Sequence, residues 1–332
     1  HSPIQVALSH GPGRIIENFS IWGLPPEFKP QKSFSFFRKV QVFPPQLLFK
    51  YPQDADINEK IHEFLIPRGV ELKVATDIEH LLSSPVGIHI TFMPNGDPTF
   101  CICITRRELL QFPSDFVRET SMTSIYTTQQ LETTRVYCFM THCPDIATLS
   151  PLIKDYFMTD FCLKDQWLRQ FYLKTIPLIP KFKYQSSSER LLPMMESLCM
   201  LKTTKSPIEL LGDHTLIRLF VVTKIAGVMA MVSSLLLNIS VFVIGKRVPL
   251  VTDCVLGLLP LLEPFQWEGV VIPFIPSHLY EFLESPLPSL YGTEMPNQKV
   301  NVSAYVYPVE QVGVLDSIDS VFVNHEKTPL PL

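Results

Sequence analysis

Cys138, His142 and Cys143 lie close together in the chain, and Cys101 and Cys103 would share one face of a strand, so the first chemistry to test is metal binding. Zinc needs four ligands held tetrahedrally, and the spacing of these residues matches no closed ligand set. They read instead as small apolar core thiols beside an exposed histidine. Covalent chemistry lacks its usual geometry as well. The chain contains no G-x-x-x-x-G-K-[ST] phosphate loop, no G-x-S-x-G nucleophile elbow and no H-E-x-x-H helix. Gly11-Pro12-Gly13 is too short for a dinucleotide loop. The expectation is a protein with no metal and no cofactor, and not an enzyme in the covalent sense. Arg106 and Arg107, just past the hairpin, read as a solvated strand end that could also pair with an acidic surface on a partner.

The elements that must position these residues follow from periodicity. Ile15 to Gly23 places Phe19 and Ile21 between polar neighbours, and Val40 and Val42 alternate before Phe43, the period of a half-buried strand. Ile57, Ile61, Phe64 and Leu65 share one helical face, and Pro67-Arg68-Gly69 ends that helix. Gly87 to Met93 and Phe100 to Ile104 alternate around Pro94-Asn95-Gly96-Asp97, whose Asn-Gly pair suits a hairpin turn. Arg135 to Met140 supplies another strand and Ile146 to Phe157 a helix. A linker is expected over 176–188, where Pro177, Pro180 and three consecutive serines break periodicity.

At 332 residues the chain is long enough for two domains or one large bilobal unit with a substantial core. Thirty prolines against 13 glycines imply short elements joined by stiff turns. A net charge of −4 argues against nucleic acid as the main partner, since phosphate binding needs a basic face. Seven scattered cysteines do not form a disulfide framework in a chain this long, and no charged-then-apolar leader opens it. A reduced, cytoplasmic setting is expected, so the Asn-x-Ser triplets at Asn18, Asn238 and Asn301 carry no weight. The tryptophans Trp22, Trp167 and Trp267 read as packing residues.

One run competes with a soluble reading. Ile225 to Gly245 holds no charged residue, the length of a membrane-spanning helix. Ile225, Val228, Val232, Leu235 and Ile239 follow helical spacing, but Ser233, Ser234 and Asn238 interrupt it. Beyond Asn238 the residues turn β-branched and aromatic, which favours a helix followed by a buried strand.

After this run comes Leu261-Leu262-Glu263-Pro264-Phe265-Gln266-Trp267, then Ile272-Pro273-Phe274-Ile275-Pro276, then Ser285-Pro286-Leu287-Pro288 and Gly292, which reads as helix, turn, buried strand, helix, turn. The order resembles the central part of a DENN domain. Upstream, Phe19-Ser20-Ile21-Trp22-Gly23-Leu24-Pro25, Tyr51-Pro52 and Phe64-Leu65-Ile66-Pro67-Arg68-Gly69 resemble the upstream DENN region. The resemblance implies a longin-like N-lobe, α+β, over 14–175, a linker over 176–188, and a doubly wound α/β C-lobe over 189–332, with a cleft between the lobes. It implies a guanine nucleotide exchange factor promoting GDP release from a Rab-type GTPase, cytoplasmic and recruited peripherally to vesicle membranes. In that role Asn95, Asp97, Arg106 and Arg107 would face the GTPase from the N-lobe, and the helix start at Thr252-Asp253 with Gln266 from the C-lobe.

The chain also departs from the family. Asn238-Ile239 stands where a glutamate and a basic residue usually close the leucine-rich helix, and the late strand reads Val321-Phe322-Val323-Asn324-His325-Glu326. The sequence stops at Pro329-Leu330-Pro331-Leu332, where the family normally continues into a third, helical portion; the expectation is a truncated chain or a minimal member, with an apolar face of the C-lobe left for that portion or a complex subunit to cover. These departures define the alternative, a DENN-fold scaffold or regulatory binding protein without exchange activity.

Overall fold

The computed structural model describes residues 16–25, 28, 40–51, 54–74, 87–92, 99–110, 131–142, 145–151, 153, 207–265, 267–309, 318 and 320–326. Seven strands form one sheet: β1 (Asn18–Gly23), β2 (Gln41–Phe43), β3 (Gln46–Tyr51), β4 (Val70–Val74), β5 (Gly87–Phe92), β6 (Phe100–Leu110) and β7 (Leu131–Thr141). Every pairing in it is antiparallel. β7, rich in threonine, valine and aromatic residues, is the central strand: β6 runs along one edge, while β1 and β4 pair with successive parts of the other.

Three expectations for this sheet change. Alternation in β1 suggests a half-buried strand, yet Phe19 and Ile21 are buried in one apolar cluster and Trp22 in another on the opposite face. The single polar residue between them is satisfied locally, because Trp22 Nε1 donates to Ser20 Oγ at 2.9 Å. Val40 and Val42, expected to face inward, are 51% and 56% exposed at the edge formed by β2, and Phe43 packs inward instead. The β5–β6 hairpin is present, but Phe92 pairs with Phe100. A two-residue Asn-Gly turn would have paired Phe92 with Thr99, so the connection is longer. The turn itself, with Asn95 and Asp97, lies outside the described residues, as do the linker over 176–188, Cys143 and Trp167. Of the helix expected from Ile146 to Phe157, residues 146–151 and 153 are helical, with Ile146, Leu149 and Ile153 buried.

The second sheet is wholly parallel, with strand order β12-β8-β10-β9, built from β8 (Ser240–Ile244), β9 (Val270–Ile275), β10 (Ser289–Thr293) and β12 (Ala304–Pro308). The helices α1 (Pro207–Val222), α2 (Ile225–Leu236) and α3 (Val248–Leu258) lie with Val241, Val243 and Leu290 in one apolar cluster. Phe242, Ile244 and Tyr291 point the other way, against Tyr280, Leu283, Val300 and Phe322. Covering both faces explains why β8 and β10 are buried at every residue. Among the described residues the second face is covered by a 3-10 segment (Ser277–Glu284), the small β11 (Val300–Asn301) and β13 (Phe322–Val323) pair, and the helical residues Ile318 and Val321. The stretch ending at Gly292 is therefore helix, strand, helix, strand: the expected closing turn is β10.

The uncharged run resolves into α2 and β8, and no described helix is long and apolar enough to cross a membrane. Asn238 makes the break. Its φ of +58° is left-handed, Ile239 N donates to Ser234 O at 2.8 Å and Asn238 N to Leu235 O at 3.0 Å. This is a Schellman cap, and asparagine is among the few side chains tolerated at its left-handed position. Asn238→Val should lose about 1–2 kcal/mol in urea unfolding, while Asn238→Gly should be near neutral. Ile225, placed by spacing in the apolar stripe of α2, is 72% exposed at the first turn; Val228, Met231 and Leu235 carry the packing.

β5 of the antiparallel sheet also comes close to α3 and β9. One apolar cluster runs from Phe19, Ile102 and Phe139 of the antiparallel sheet to Leu256 of α3 and Leu290 of the parallel sheet.

Candidate functional site

Open parallel sheets place ligands at the carboxyl ends of their strands, where neighbouring strands send their connections to opposite faces. Here that point lies between β8 and β10. After β8 the chain passes through Gly245-Lys246-Arg247 into α3 on one face; after β10 it passes through Glu294 and Met295 to the other. The two strands are direct neighbours, with Gly292 opposite Val243 and Thr293 opposite Ile244.

Residues 58–69 of the antiparallel half reach this point. Asn58 caps a 3-10 turn by accepting from Lys60 N at 3.0 Å, and the helical turn His62–Leu65 follows. Ile61, Leu65 and Ile66 are buried beneath Trp22 and Val70, which mounts the segment firmly on the sheet. Gly69, at φ +73°, turns the chain into β4; a Cβ there would meet Val42 Cγ1 at 2.5 Å. The polar side of the segment faces the parallel sheet. Arg68 bonds both the Glu294 carboxylate and the Lys246 carbonyl, and His278 Nε2 lies 3.1 Å from Glu63 Oε2. Burial pushes the Tyr280 phenol up, its bond to Thr293 opposes that, and Glu294 and Arg68 act on it in opposite directions.

The expected partner-facing residues sit differently. Arg106 and Arg107 are not a strand end, because β6 continues to Leu110. Arg106 is buried directly opposite Arg135, and Arg107 points outward with its nitrogen 3.8 Å from Glu132. Around them Arg135 bonds Glu108 at 2.7 Å, Tyr137 donates to Glu108, and Lys73 meets Glu132 at 2.8 Å. Neither Thr252 nor Asp253 opens a helix, since α3 begins at Val248 and both residues are buried in it. Thr252 Oγ1 donates to Pro249 O at 3.0 Å. Asp253 accepts from Arg218 of α1 at 2.7 Å, with His214 Nε2 at 3.7 Å. Gln266 lies outside the described residues. Of the described candidates, Arg107 alone offers an exposed side chain. Arg68, Glu294, Glu63 and His278 escaped sequence reading: Pro67-Arg68-Gly69 signals only a helix end, and its partner lies 226 residues further on.

Among the described residues no group of three or more metal-ligating side chains is placed to hold an ion. Cys101, Cys103 and Cys138 are buried in the core with Trp22 and Leu24. Hydrogen bonding to Cys138 and burial push the Cys101 thiol up, and burial does the same for Cys103. Burial and the Asp253 carboxylate push Cys254 up to about 12. These three behave as core thiols.

A family profile for the DENN (AEX-3) domain matches residues 132–318, from β7 to the helical residue just before β13. Mouse DENN domain-containing protein 1B is 21% identical over 272 residues, 79% of this chain and 31% of that protein. Human DENN domain-containing protein 1B is 28% identical over 80 residues, 24% of this chain and 10% of that protein. Mouse DENN domain-containing protein 1C is 30% identical over 80 residues, again 24% of this chain and 10% of that protein. The chain thus spans under a third of the length of the relatives it matches. With the profile covering more than half of it, the chain belongs to the DENN domain family.

Proposed function

We propose that the chain acts as a guanine nucleotide exchange factor, promoting GDP release from a Rab-type small GTPase. Family membership carries this reading. An exchange factor needs no nucleophile or general base. It binds the nucleotide-free GTPase better than the nucleotide-bound one, and linkage then requires that it weaken nucleotide affinity by the same factor. What it needs is a rigid surface that holds the switch segments in their open arrangement.

The antiparallel sheet followed by a parallel sheet with helices supports a bilobal arrangement, a longin-like N-lobe over 14–175 and a doubly wound C-lobe over 189–332. On this reading the GTPase docks beside the junction of the two sheets, with Arg107 an outward-facing contact. Arg106, Thr252 and Asp253 act from beneath by holding strands and helices in register, and Asn95, Asp97 and Gln266 complete the surface. Ile217, Phe220, Val221, Ile225 and Met229 are exposed on α1 and α2. That apolar surface supports a further DENN portion or a complex subunit covering the C-lobe, and recruitment to vesicles would be peripheral.

The test is release of mant-GDP from a panel of Rab GTPases, with and without the chain at micromolar concentration, paired with capture of nucleotide-free Rabs. Acceleration of one Rab establishes exchange and names the substrate. Capture without acceleration, repeated in a longer chain carrying any further DENN portion, would establish the scaffold reading instead.

A further inference from the structure

We propose that the crevice between the carboxyl ends of β8 and β10 is a guanidinium socket, filled in cis by Arg68, and that this clasp sets how the two sheets are held relative to one another. The crevice is the switch point at which a parallel sheet ordinarily receives a ligand. Its acceptors are the Lys246 carbonyl at the end of β8 and the Glu294 carboxylate at the end of β10, and Arg68 engages both. A planar fork suits two acceptors on adjacent strands, whereas an ammonium offers only a point charge.

Two kinds of contact join the sheets. One is apolar: Phe19, Ile102 and Phe139 of the antiparallel sheet lie in the same buried cluster as Leu256 of α3 and Leu290 of β10. At the crevice the contact is polar and wet, with Arg68 and Glu294 side chains 48% and 35% exposed, and the neighbouring His278 and Glu63 51% and 26%. Water competes for the wet contact and not for the buried one, so the clasp opens first and the apolar seam serves as the hinge. Because residues 58–66 are anchored in the core of the antiparallel sheet, movement at Arg68 is transmitted to that sheet as a whole.

The test is hydrogen exchange by mass spectrometry on the full chain carrying Arg68→Ala, Glu294→Gln, or both. Peptides spanning 62–69 and 290–296 should exchange at least about threefold faster in either single variant, with the double variant no faster than the singles. Millimolar guanidinium chloride should restore protection to Arg68→Ala saturably. Sodium chloride at equal ionic strength should not, nor should guanidinium act on the double variant. Arg68→Lys should restore less than half of the protection. Unchanged exchange in Arg68→Ala, or equal recovery with sodium chloride, overturns the proposal. This readout needs no GTPase, so it stands or falls separately from the exchange reading. Where a responsive Rab is found, Arg68→Ala should also change its mant-GDP release rate.

Discussion

Replacing Gly292 with alanine should strongly destabilise the parallel sheet. A Cβ at this position would stand 2.0 Å from the Pro273 carbonyl oxygen and 2.6 Å from Val251 Cγ1. Extra atoms in a packed core cost about 1–3 kcal/mol when neighbouring side chains can yield. The Pro273 oxygen belongs to the backbone of β9 and cannot yield without moving a strand. The close approach has a sequence cause: Pro273 has no N–H to donate, and the register between β10 and β9 shifts between Tyr291 and Thr293. A loss of about 3 kcal/mol or more is expected, a large part of the stability of a typical domain. Urea unfolding followed by circular dichroism would measure it, with Ser303→Ala, exposed and outside the strands, as the control. A midpoint within error of the parent would show that β9 and β10 can separate freely. Since β10 delivers Glu294 to the crevice, the variant should also lose protection at Arg68.

The second large effect is expected at Asp253. Its carboxylate is 3% exposed and joins α3 to α1 through Arg218, with His214 alongside. Removing one partner of a buried ion pair typically costs about 3–5 kcal/mol, because the other charge keeps its desolvation penalty. Arg218 is 48% exposed and can turn into water, so the cost of Asp253→Ala should fall near the lower end, about 3 kcal/mol. Thermal or urea unfolding measures that loss. Pairing Asp253→Ala with Arg218→Ala separates structure from partner contact, since the double variant should lose less than the sum of the two single losses. A GTPase-docking role for the carboxylate predicts the opposite pattern, with full stability and weakened capture of nucleotide-free Rab.

Both positions show where sequence reading reached and where it stopped. The buried strand β8 was legible because five consecutive apolar or small residues follow a helix pattern, and burial on both faces removes the polar alternation that would otherwise mark a surface. The strand β10 was not. Pro286 and Pro288 stand immediately before it and Gly292 lies within it, so its local signals are those of a turn. The edge strand β2 misled in the other direction: its alternation was real, but period two says only that the faces differ, not which faces inward. Nothing local to Thr252 and Asp253 marks them as mid-helix residues, so the expected helix start there fails. The helix instead opens at Val248-Pro249, where proline's missing N–H leaves no bond unmade.

By itself the sequence determined the mixed α/β character, the hairpin, the break of the uncharged run at Asn238 and the family. Each is written in short-range spacing or in an ordered string of prolines and aromatic residues, and local backbone preferences act over that range. Only the tertiary structure decided which candidate side chains meet water, which pair across helices, and that Arg68 closes the crevice at Glu294. Those outcomes depend on how strands distant in sequence are ordered within a sheet. Strand order is selected by burial of both faces at once, a property of the assembled core that no single segment carries.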